Sequence, residues 1–303
     1  MSNHTKLRFR FLPTRFSWTA IHPQPIGVIY FIGGAFFGSM PTLFYRFLLK
    51  SLFLEGYTVV ALPFRFSFRH WSVALSLAEN QNEIRQNLLE EAKKQGFDTT
   101  LYQETLENPE SIREYWIGHS LGCKYIALLE LLTDFEIFEQ QTGFFTCLGE
   151  QQAQKIDRLI DRSNLRSVSL YNQPSILLDP VISDLNNAVP IKVLQRLLSN
   201  FIKVSPSRDE TFCLIDKSHL FALTSIISFN SQLAQASVVS LKHLLVKRLL
   251  AFQAIAVNPL WLGKHLAVLG VKRGQPVIIK AVVEQLAKSR HRLTNKDCRR
   301  SKD

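Results

Sequence analysis

The chain begins with two short stretches in which apolar residues alternate with basic or polar ones. Residues 6–11 alternate Lys and Arg with Leu and Phe, and residues 15–20 repeat the alternation after Pro13. A period of two is typical of a β-strand with one solvated face, and an intervening proline favours a turn. The pattern predicts an antiparallel hairpin at this end of the chain.

Apolar runs and helical patterns then follow one another along the chain. Residues 27–32, 57–62 and 115–117 are almost wholly apolar, which is typical of strands buried on both faces of a parallel sheet. Residues 42–55, 75–96 and 121–132 have apolar positions at helical spacing. Repeated strand–helix alternation predicts a doubly wound α/β sheet that is entered through the hairpin.

The pattern weakens over residues 134–222, where a strand is indicated only at 166–171. This region is predicted to be a cap-like insertion over a site, with ordinary continuation of the sheet as the alternative. Alternation returns with predicted strands at 223–229 and 252–257 and predicted helices at 238–250 and 276–288. We therefore expect one domain over residues 5–288, followed by a disordered basic tail over residues 289–303.

Composition narrows the class of protein. The chain has 303 residues, of which 46% are hydrophobic and 20% charged, so it can bury a large core and is not a disordered chain. Four cysteines without a C-x-x-C pair argue against a disulfide scaffold or a zinc ribbon and indicate a reducing compartment. No apolar run is long enough to span a membrane, so a soluble cytoplasmic protein is expected, or a stromal one if it comes from a plastid.

The net charge of +11 changes this picture only locally. Residues 288–303 contain seven basic and two acidic residues, and no acidic residue precedes Glu55. A solvated tail and a basic strand face explain this distribution. The alternative is weak contact of the basic tail with an anionic membrane surface. The sequence has no nucleic-acid recognition motif, P-loop or metal-ligand cluster, so no specific nucleic acid, cofactor or metal is expected.

The most specific motif is Gly118-His119-Ser120-Leu121-Gly122. It matches G-x-S-x-G and lies between an apolar strand and an apolar helix, which is the context of a nucleophile elbow. The glycines let strand and helix approach closely, while the turn presents the serine hydroxyl near a helix N-terminus, where negative charge is favoured. Ser120 is therefore the candidate nucleophile, although a purely structural turn would have the same sequence.

A second element comes earlier in the chain. Gly33-Gly34-Ala35 follows the buried strand at 27–32. In an α/β-hydrolase, the loop at this place supplies one oxyanion-hole N–H, and the residue after the nucleophile supplies the other. The candidate donors are thus Leu121 together with Ala35 or Gly34. The alternative is a Gly-Gly bend that serves packing alone.

A general base should follow the nucleophile in chain order. Four histidines do so, and three of them fit poorly: His243 falls in a predicted helix, His291 in the tail, and His219 just before a strand. His265 lies between the last predicted strand and the last helix, where a hydrolase base belongs. His265 is therefore the candidate base.

The orienting acid is not evident. The loop after the predicted penultimate strand reads Asn230-Ser231-Gln232, with no carboxylate. We take Asp184 as the candidate acid, with Asp179 and Asp216 as alternatives. An amide such as Asn230 could hold an imidazole but could not stabilise its charged form.

These residues also carry a resemblance to a known family. The chain resembles an uncharacterised family of α/β-hydrolase-like proteins, found mainly in cyanobacteria and plastids and catalogued as a domain of unknown function. The matching segments are residues 31–38, 117–124, 171–175, 227–229 and 263–266. The resemblance covers about residues 5–285, implies the hydrolase fold, and carries the nucleophile and base roles onto Ser120 and His265. It supplies no substrate, and relatives have acidic residues where this chain has Asn230, Ser231 and Gln232.

The sequence thus predicts an α/β-hydrolase fold with a mostly parallel sheet, an N-terminal antiparallel hairpin and an inserted cap. Three functions remain open, the third being a peripheral membrane or nucleic-acid binder that uses the basic tail. The first is a serine hydrolase that acts on an ester or thioester of a lipid-like or small acyl substrate. The second is a non-catalytic protein of the same fold that binds a lipid, a pigment or a protein partner.

Overall fold

The structure is a computed structural model. It describes residues 7–107, 113–138, 141–162, 170, 173–182, 204–218, 221, 223–248, 251–260 and 263–300. Its centre is an eight-stranded sheet in the order β1-β2-β4-β3-β5-β6-β7-β8. The strands are β1 (Leu12–Thr14), β2 (Ser17–Ala20), β3 (Gly27–Ile32), β4 (Tyr57–Ala61), β5 (Glu114–His119), β6 (Ser175–Leu178), β7 (Thr224–Ser228) and β8 (Ala251–Ala254).

Helices cover both faces of this sheet. In chain order they are α1 (Pro41–Phe44), α2 (Arg46–Leu54), α3 (His70–Glu79), α4 (Gln81–Gln95), α5 (Thr100–Glu107), α6 (Leu121–Phe138), α7 (Gln141–Leu148), α8 (Glu150–Arg162), α9 (Arg208–Lys217), α10 (Gln232–Leu245) and α11 (Pro276–Arg300). Short 3-10 helices lie at Phe37–Ser39, Val246–Arg248 and Lys264–Val268. Two large clusters of buried apolar side chains, one on each face of the sheet, form the core.

The inner strands match the sequence prediction. All residues of β3, β4, β5, β6 and β7 are buried, and from β4 to β8 every neighbouring pair is parallel. Apolar runs without alternation fold this way because both faces of the sheet are covered by helices. The predicted α/β-hydrolase fold class, a mostly parallel sheet entered by a hairpin, is confirmed.

The hairpin itself is displaced from its predicted position. The two strands pair antiparallel, but β1 contains Pro13 and the turn falls at Arg15 and Phe16. A proline is compatible with an edge strand because its missing N–H can face solvent. The proline therefore marks the edge of the sheet and not the turn.

The region 134–222 is not wholly an insertion. Strand β6 lies between β5 and β7 in the middle of the sheet, so the sheet continues through this region. The strand predicted at 166–171 falls mostly outside the described residues. A disulfide joins Cys147 near the end of α7 to Cys213 in α9, which the reducing compartment indicated by the cysteine pattern did not lead us to expect. Cysteines 66 residues apart in sequence had no spacing signal that would pair them.

The C-terminal end differs from the predicted disordered tail. Helix α11 runs from Pro276 to Arg300 without the expected end near residue 288. No glycine or proline follows Pro276, so nothing in this segment stops a helix. None of the described helices is both long enough and apolar enough to cross a bilayer.

Candidate active site

Ser120 lies on the sharp turn between β5 and α6. Its φ is +55°, a left-handed conformation that is uncommon for a residue other than glycine and costs about 1–3 kcal/mol. The flanking glycines are required sterically, since a Cβ on Gly122 would collide with the Ile32 carbonyl and one on Gly118 with the Cys123 amide. The sequence motif therefore forms the strained elbow that it predicted.

His265 comes to Ser120 from 145 residues further along the chain. Its Nε2 is 2.8 Å from Ser120 Oγ. The histidine lies in the 3-10 helix Lys264–Val268, after β8 and before α11, and only 5% of it is exposed. The structure thus brings together the serine and the histidine that the sequence had singled out.

The other ring nitrogen of His265 contacts Asp179. His265 Nδ1 is 2.7 Å from Asp179 Oδ2, and Asp179 is fully buried. Asp179 directly follows β6, and β6 pairs with β5, so the carboxyl ends of these strands meet at one edge of the sheet. The candidate acid Asp184 lies outside the described residues, and Asp216 is exposed near the end of α9.

The loop after β7 supports this carboxylate instead of supplying one. The Phe229 N–H donates to Asp179 Oδ1 at 2.9 Å, and the Ser231 hydroxyl donates to Asp179 Oδ2. Ser231 also caps α10 by accepting from the Ala234 N–H. The carboxylate beside His265 thus comes from the end of the neighbouring strand β6.

The sequence contains a local signal for Asp179, which was one of the alternative acids. Residues 175–178 are Ser-Ile-Leu-Leu, a short apolar run, and Asp179-Pro180 follows it directly. The sequence prediction placed a strand at 166–171 and none at 175–178, so Asp179 did not directly follow a predicted strand end. Asp179 also has a φ of +44°, so it shares the strained backbone of Ser120.

The loop after β3 lies against the elbow. A Cβ built on Gly34 would be 3.0 Å from the Ser120 Cβ. The Gly34 N–H, however, donates to the Tyr45 hydroxyl at 2.7 Å. Among the described residues, the N–H groups of Ala35 and Leu121 have no such partner. Of the three candidate donors, Ala35 and Leu121 are therefore available to an incoming oxyanion, while Gly34 is already engaged.

His119 links this loop to the loop of His265. Its Nε2 is 3.0 Å from the His265 carbonyl oxygen and its Nδ1 is 2.9 Å from the Tyr45 hydroxyl. Since a carbonyl only accepts, Nε2 carries the proton and Nδ1 accepts from Tyr45. Burial, and secondarily the nearby His265, hold the pKa of His119 well below its usual range. A neutral His119 thus joins both loops through fixed hydrogen bonds.

Aromatic side chains lie beside the same loop. The Phe36 side chain, next to Ala35, is 51% exposed and stacks on Phe66 with ring centroids 5.0 Å apart. Phe66 in turn contacts Phe68 edge to face at 5.1 Å. Phe64 and Trp71, which precede and follow these two phenylalanines in the chain, are buried in the core. The exposed part of this aromatic segment is therefore Phe36 and its partners.

The arrangement allows a proton to move from the Ser120 hydroxyl to His265. An ionised carboxylate only accepts, so Asp179 accepts a hydrogen bond from the His265 Nδ1–H, and Nε2 has a lone pair that can accept the Ser120 hydroxyl proton. The three groups are nearly buried, which strengthens the electrostatic interactions among them.

Of the other histidines, His243 is exposed on α10, the side chain of His291 is not described, and His219 lies outside the described residues.

Comparison with solved structures supports the fold. Esterase B from Lactobacillus Rhamnosis matches 99% of this chain and 90% of its own, with a TM-score of 0.57 and 12% identity. Its crystal structure with a tributyrin phosphonate matches 90% and 79%, with a TM-score of 0.53 and 13% identity. Carboxyl esterase 2 from the fungus Tuber melanosporum matches 95% and 89%, with a TM-score of 0.50 and 14% identity. Identities this low show a shared fold alone.

Comparison with sequence families is more direct. No curated protein matches the chain. Residues 12–274 match the family described as "Protein of unknown function (DUF1350)". Because this match covers most of the chain, the protein belongs to that family.

Proposed function

We propose that the protein is a serine hydrolase that cleaves carboxylic esters. The observation that carries the proposal is the chain of contacts from Ser120 Oγ to His265 Nε2 at 2.8 Å and from His265 Nδ1 to Asp179 at 2.7 Å. A serine hydroxyl is a weak nucleophile unless an adjacent base removes its proton. Asp179 takes the acid role for which Asp184 was the first candidate.

Acylation begins with proton transfer from Ser120 Oγ to His265 Nε2 while Oγ bonds to the ester carbonyl carbon. The carbonyl π-electrons move to oxygen, and this oxyanion accepts hydrogen bonds from the Leu121 and Ala35 N–H groups. His265 is then positively charged, and the Asp179 carboxylate stabilises it. Cleavage of the ester C–O bond follows as Nε2–H protonates the departing alcohol oxygen, which leaves an acyl-Ser120.

Deacylation uses the same groups with water as the nucleophile. His265 Nε2 removes a proton from water, the hydroxyl oxygen adds to the acyl carbon, and the oxyanion forms again between the two amides. Collapse of this intermediate breaks the bond to Ser120 Oγ, which regains its proton from Nε2. The products are a carboxylic acid and a restored hydroxyl.

The aromatic segment supports an apolar acyl group as the preferred substrate part. Phe36 directly follows the proposed oxyanion donor Ala35 and presents an exposed ring. An apolar chain that covers Phe36 and Phe66 would remove apolar surface from water. The structurally similar esterase B was crystallised with a tributyrin phosphonate, an analogue of a short-chain glyceride, which agrees with this class.

Covalent labelling with a fluorophosphonate and hydrolysis of p-nitrophenyl esters of increasing acyl length test the proposal together. Wild type should be labelled and should turn over butyrate and longer esters, whereas Ser120→Ala should do neither. Ser72→Ala, which removes an exposed hydroxyl on α3, is the matched control and should behave as wild type.

Two results would refute this function. One is equal labelling of wild type and Ser120→Ala, which would mean that another residue reacts. The other is a folded wild type that neither reacts with the probe nor hydrolyses any ester. That outcome would favour the non-catalytic alternative, in which the fold binds a lipid, a pigment or a protein partner.

A further inference from the structure

A groove runs along the outer face of α2. Its volume is about 810 Å³. The residues that line it are Leu7, Arg8, Phe9, Arg46, Phe47, Lys50, Ser51, Leu54, Val271 and Lys272. Those from α2 recur every three or four residues, so they lie on one face of the helix. We call this feature the α2 groove.

The α2 groove is cationic. Arg8, Arg46, Lys50 and Lys272 line it, and among its described lining residues none is aspartate or glutamate. None of these four cations forms an ion pair with a described residue. The Arg46 guanidinium lies over the Phe9 ring, 5.4 Å from its centroid, so this cation–π contact positions one of the positive charges. Four positive charges from three separate segments therefore line the groove, and its described lining residues include no acidic one.

Exposed apolar side chains accompany these charges. Leu54 is 54% exposed, Val271 is 48% exposed and Leu7 is 38% exposed. The groove continues into a smaller one of about 470 Å³, where Glu55, Lys280 and Glu284 restore a mixed charge. The four cations and the exposed apolar side chains thus line the same groove along α2.

Hydrogen bonds connect a loop of the α2 groove to residues beside the candidate active site. The loop that carries Val271 and Lys272 is held to the start of α2 by Gly270, whose N–H donates to the Phe44 carbonyl at 2.9 Å and whose carbonyl accepts from the Phe47 N–H at 2.8 Å. Between these two residues lies Tyr45, whose hydroxyl contacts Gly34 and His119. Hydrogen bonds and the chain around Tyr45 thus connect the groove's Val271–Lys272 loop to Gly34 and His119.

We propose that the α2 groove docks the protein on a membrane surface that contains anionic phospholipids. Clustered Lys and Arg are attracted to anionic headgroups, and exposed Leu and Val side chains can enter the boundary with the acyl chains. The apolar residues between the cations favour a lipid over a nucleic acid, which would be held by phosphate contacts and aromatic stacking. This site is distinct from the basic tail, and the proposal does not depend on esterase activity.

Co-sedimentation of the full-length protein with vesicles tests this inference. The probes are phosphatidylcholine vesicles with about one-third phosphatidylserine and vesicles of phosphatidylcholine alone. Wild type should sediment with the anionic vesicles, and binding should fall as salt is raised. Lys50→Glu/Lys272→Glu should weaken this binding by more than about 20-fold, since each cation near such a surface contributes roughly fivefold.

A matched variant separates local from overall charge. Lys155→Glu/Arg158→Glu makes the same change in net charge on exposed positions of α8, and it should bind the anionic vesicles nearly as wild type does. A third variant, Lys296→Gln/Arg299→Gln/Arg300→Gln, removes cations of the C-terminal end of α11 and should also retain binding. Circular dichroism confirms that each variant is folded.

Several outcomes would overturn the proposal. These are equal binding to neutral and anionic vesicles, an equal loss in the α8 variant, or a loss in the α11 variant with none in the groove variant. Binding to duplex DNA that only the groove variant loses, without vesicle binding, would assign the groove to nucleic acid instead. Hydrolysis of soluble esters by the groove variant should stay at the wild-type rate, so this result and the proposed esterase function can fail independently.

Discussion

A carboxylate is buried at each end of the parallel strands, one where a strand begins and one where a strand ends. The two carboxylates have different kinds of partner. Glu114 begins β5 and accepts from Arg85 and from the Tyr30 hydroxyl, with Arg85 Nε at 3.0 Å and Tyr30 Oη at 2.7 Å. Asp179 follows β6 at the opposite edge and accepts from His265, Ser231 and the Phe229 N–H. Both carboxylates are at most 1% exposed.

The difference lies in the partner's charge. Arg85 stays protonated at any ordinary pH, so Glu114 belongs to a permanent ion pair and can move no proton. His265 is an imidazole that can accept a proton from one side while Asp179 holds its other side. A buried carboxylate thus supports the structure where it is Glu114, and it is suited to assist proton transfer where it is Asp179. Substitutions at the two edges should separate these roles.

Asp179→Asn should have the largest effect. An amide cannot stabilise the imidazolium, and it can hold His265 in the wrong tautomer, so kcat should fall by about 10⁴ as in a serine protease. Asparagine tolerates the positive φ at this position, so the protein should still fold. Steady-state ester hydrolysis measures the loss. Asp184→Asn and Asp216→Asn are the controls, and a large loss in either one with activity kept in Asp179→Asn would move the acid elsewhere.

Glu114→Gln should act on stability instead. It leaves Arg85 buried without its carboxylate, which should lower the free energy of unfolding by about 3–5 kcal/mol. Urea denaturation measures this change, while kcat per folded molecule should stay at the wild-type value. The control is Glu104→Gln, because Glu104 pairs with Arg113 at 3.4 Å on the surface and should cost less than about 1 kcal/mol. A loss of kcat in Glu114→Gln would show that the two edges are coupled.

A third buried carboxyl, Glu130, should make stability depend on pH. It has hydroxyl partners, with Ser175 Oγ at 2.6 Å, and burial raises its pKa from 4.5 to about 7. The folded protein therefore binds more protons than the unfolded chain between these values, so stability falls as pH rises through this window. Relative to Glu130→Gln, wild type should lose roughly 3 kcal/mol of unfolding free energy from about pH 4 to pH 8. Denaturation curves across this range measure the difference, and a constant difference would contradict the assignment.

Tyr45→Phe should have the smallest effect of the four and should act on the reactive edge. Loss of the hydroxyl leaves the Gly34 N–H and His119 Nδ1 without their partner, which should cost about 1–3 kcal/mol of stability. It should also lower kcat by about tenfold with KM unchanged, because the oxyanion loop and the His265 loop lose their link. Tyr102→Phe, which breaks a buried hydrogen bond to Thr58 at 2.6 Å, should reduce stability similarly without changing kcat.

The parts of the fold that were predicted share one property, namely that their signal is local. The apolar runs of β3, β4 and β5 and the glycines around Ser120 are each contained within a few residues. Errors arose where a signal was ambiguous over a short distance. The sequence predicts a turn at Pro13, which lies in edge strand β1, and it predicts no strand at 175–178, where β6 lies.

The residues of the candidate site likewise differ in whether a local signal identifies them. Ser120 and His265 could be named from motif and chain order, and the structure brings them into contact, while their catalytic roles stay predictions. Asp179 could not be chosen over Asp184 or Asp216 from the sequence. The local pattern of residues does not tell which strand pairs with β5. The cyanobacterial or plastid origin and the cellular compartment also stay predictions.

The amino-acid sequence by itself determined the layered α/β architecture and the elbow, because periodicity and steric need for glycine act between residues close in the chain. Tertiary structure alone decided which carboxylate meets His265, that Cys147 bonds to Cys213, and that cations from three segments line one groove. These features depend on distances between residues far apart in the chain, and such distances are set only when the strands have taken their order in the sheet.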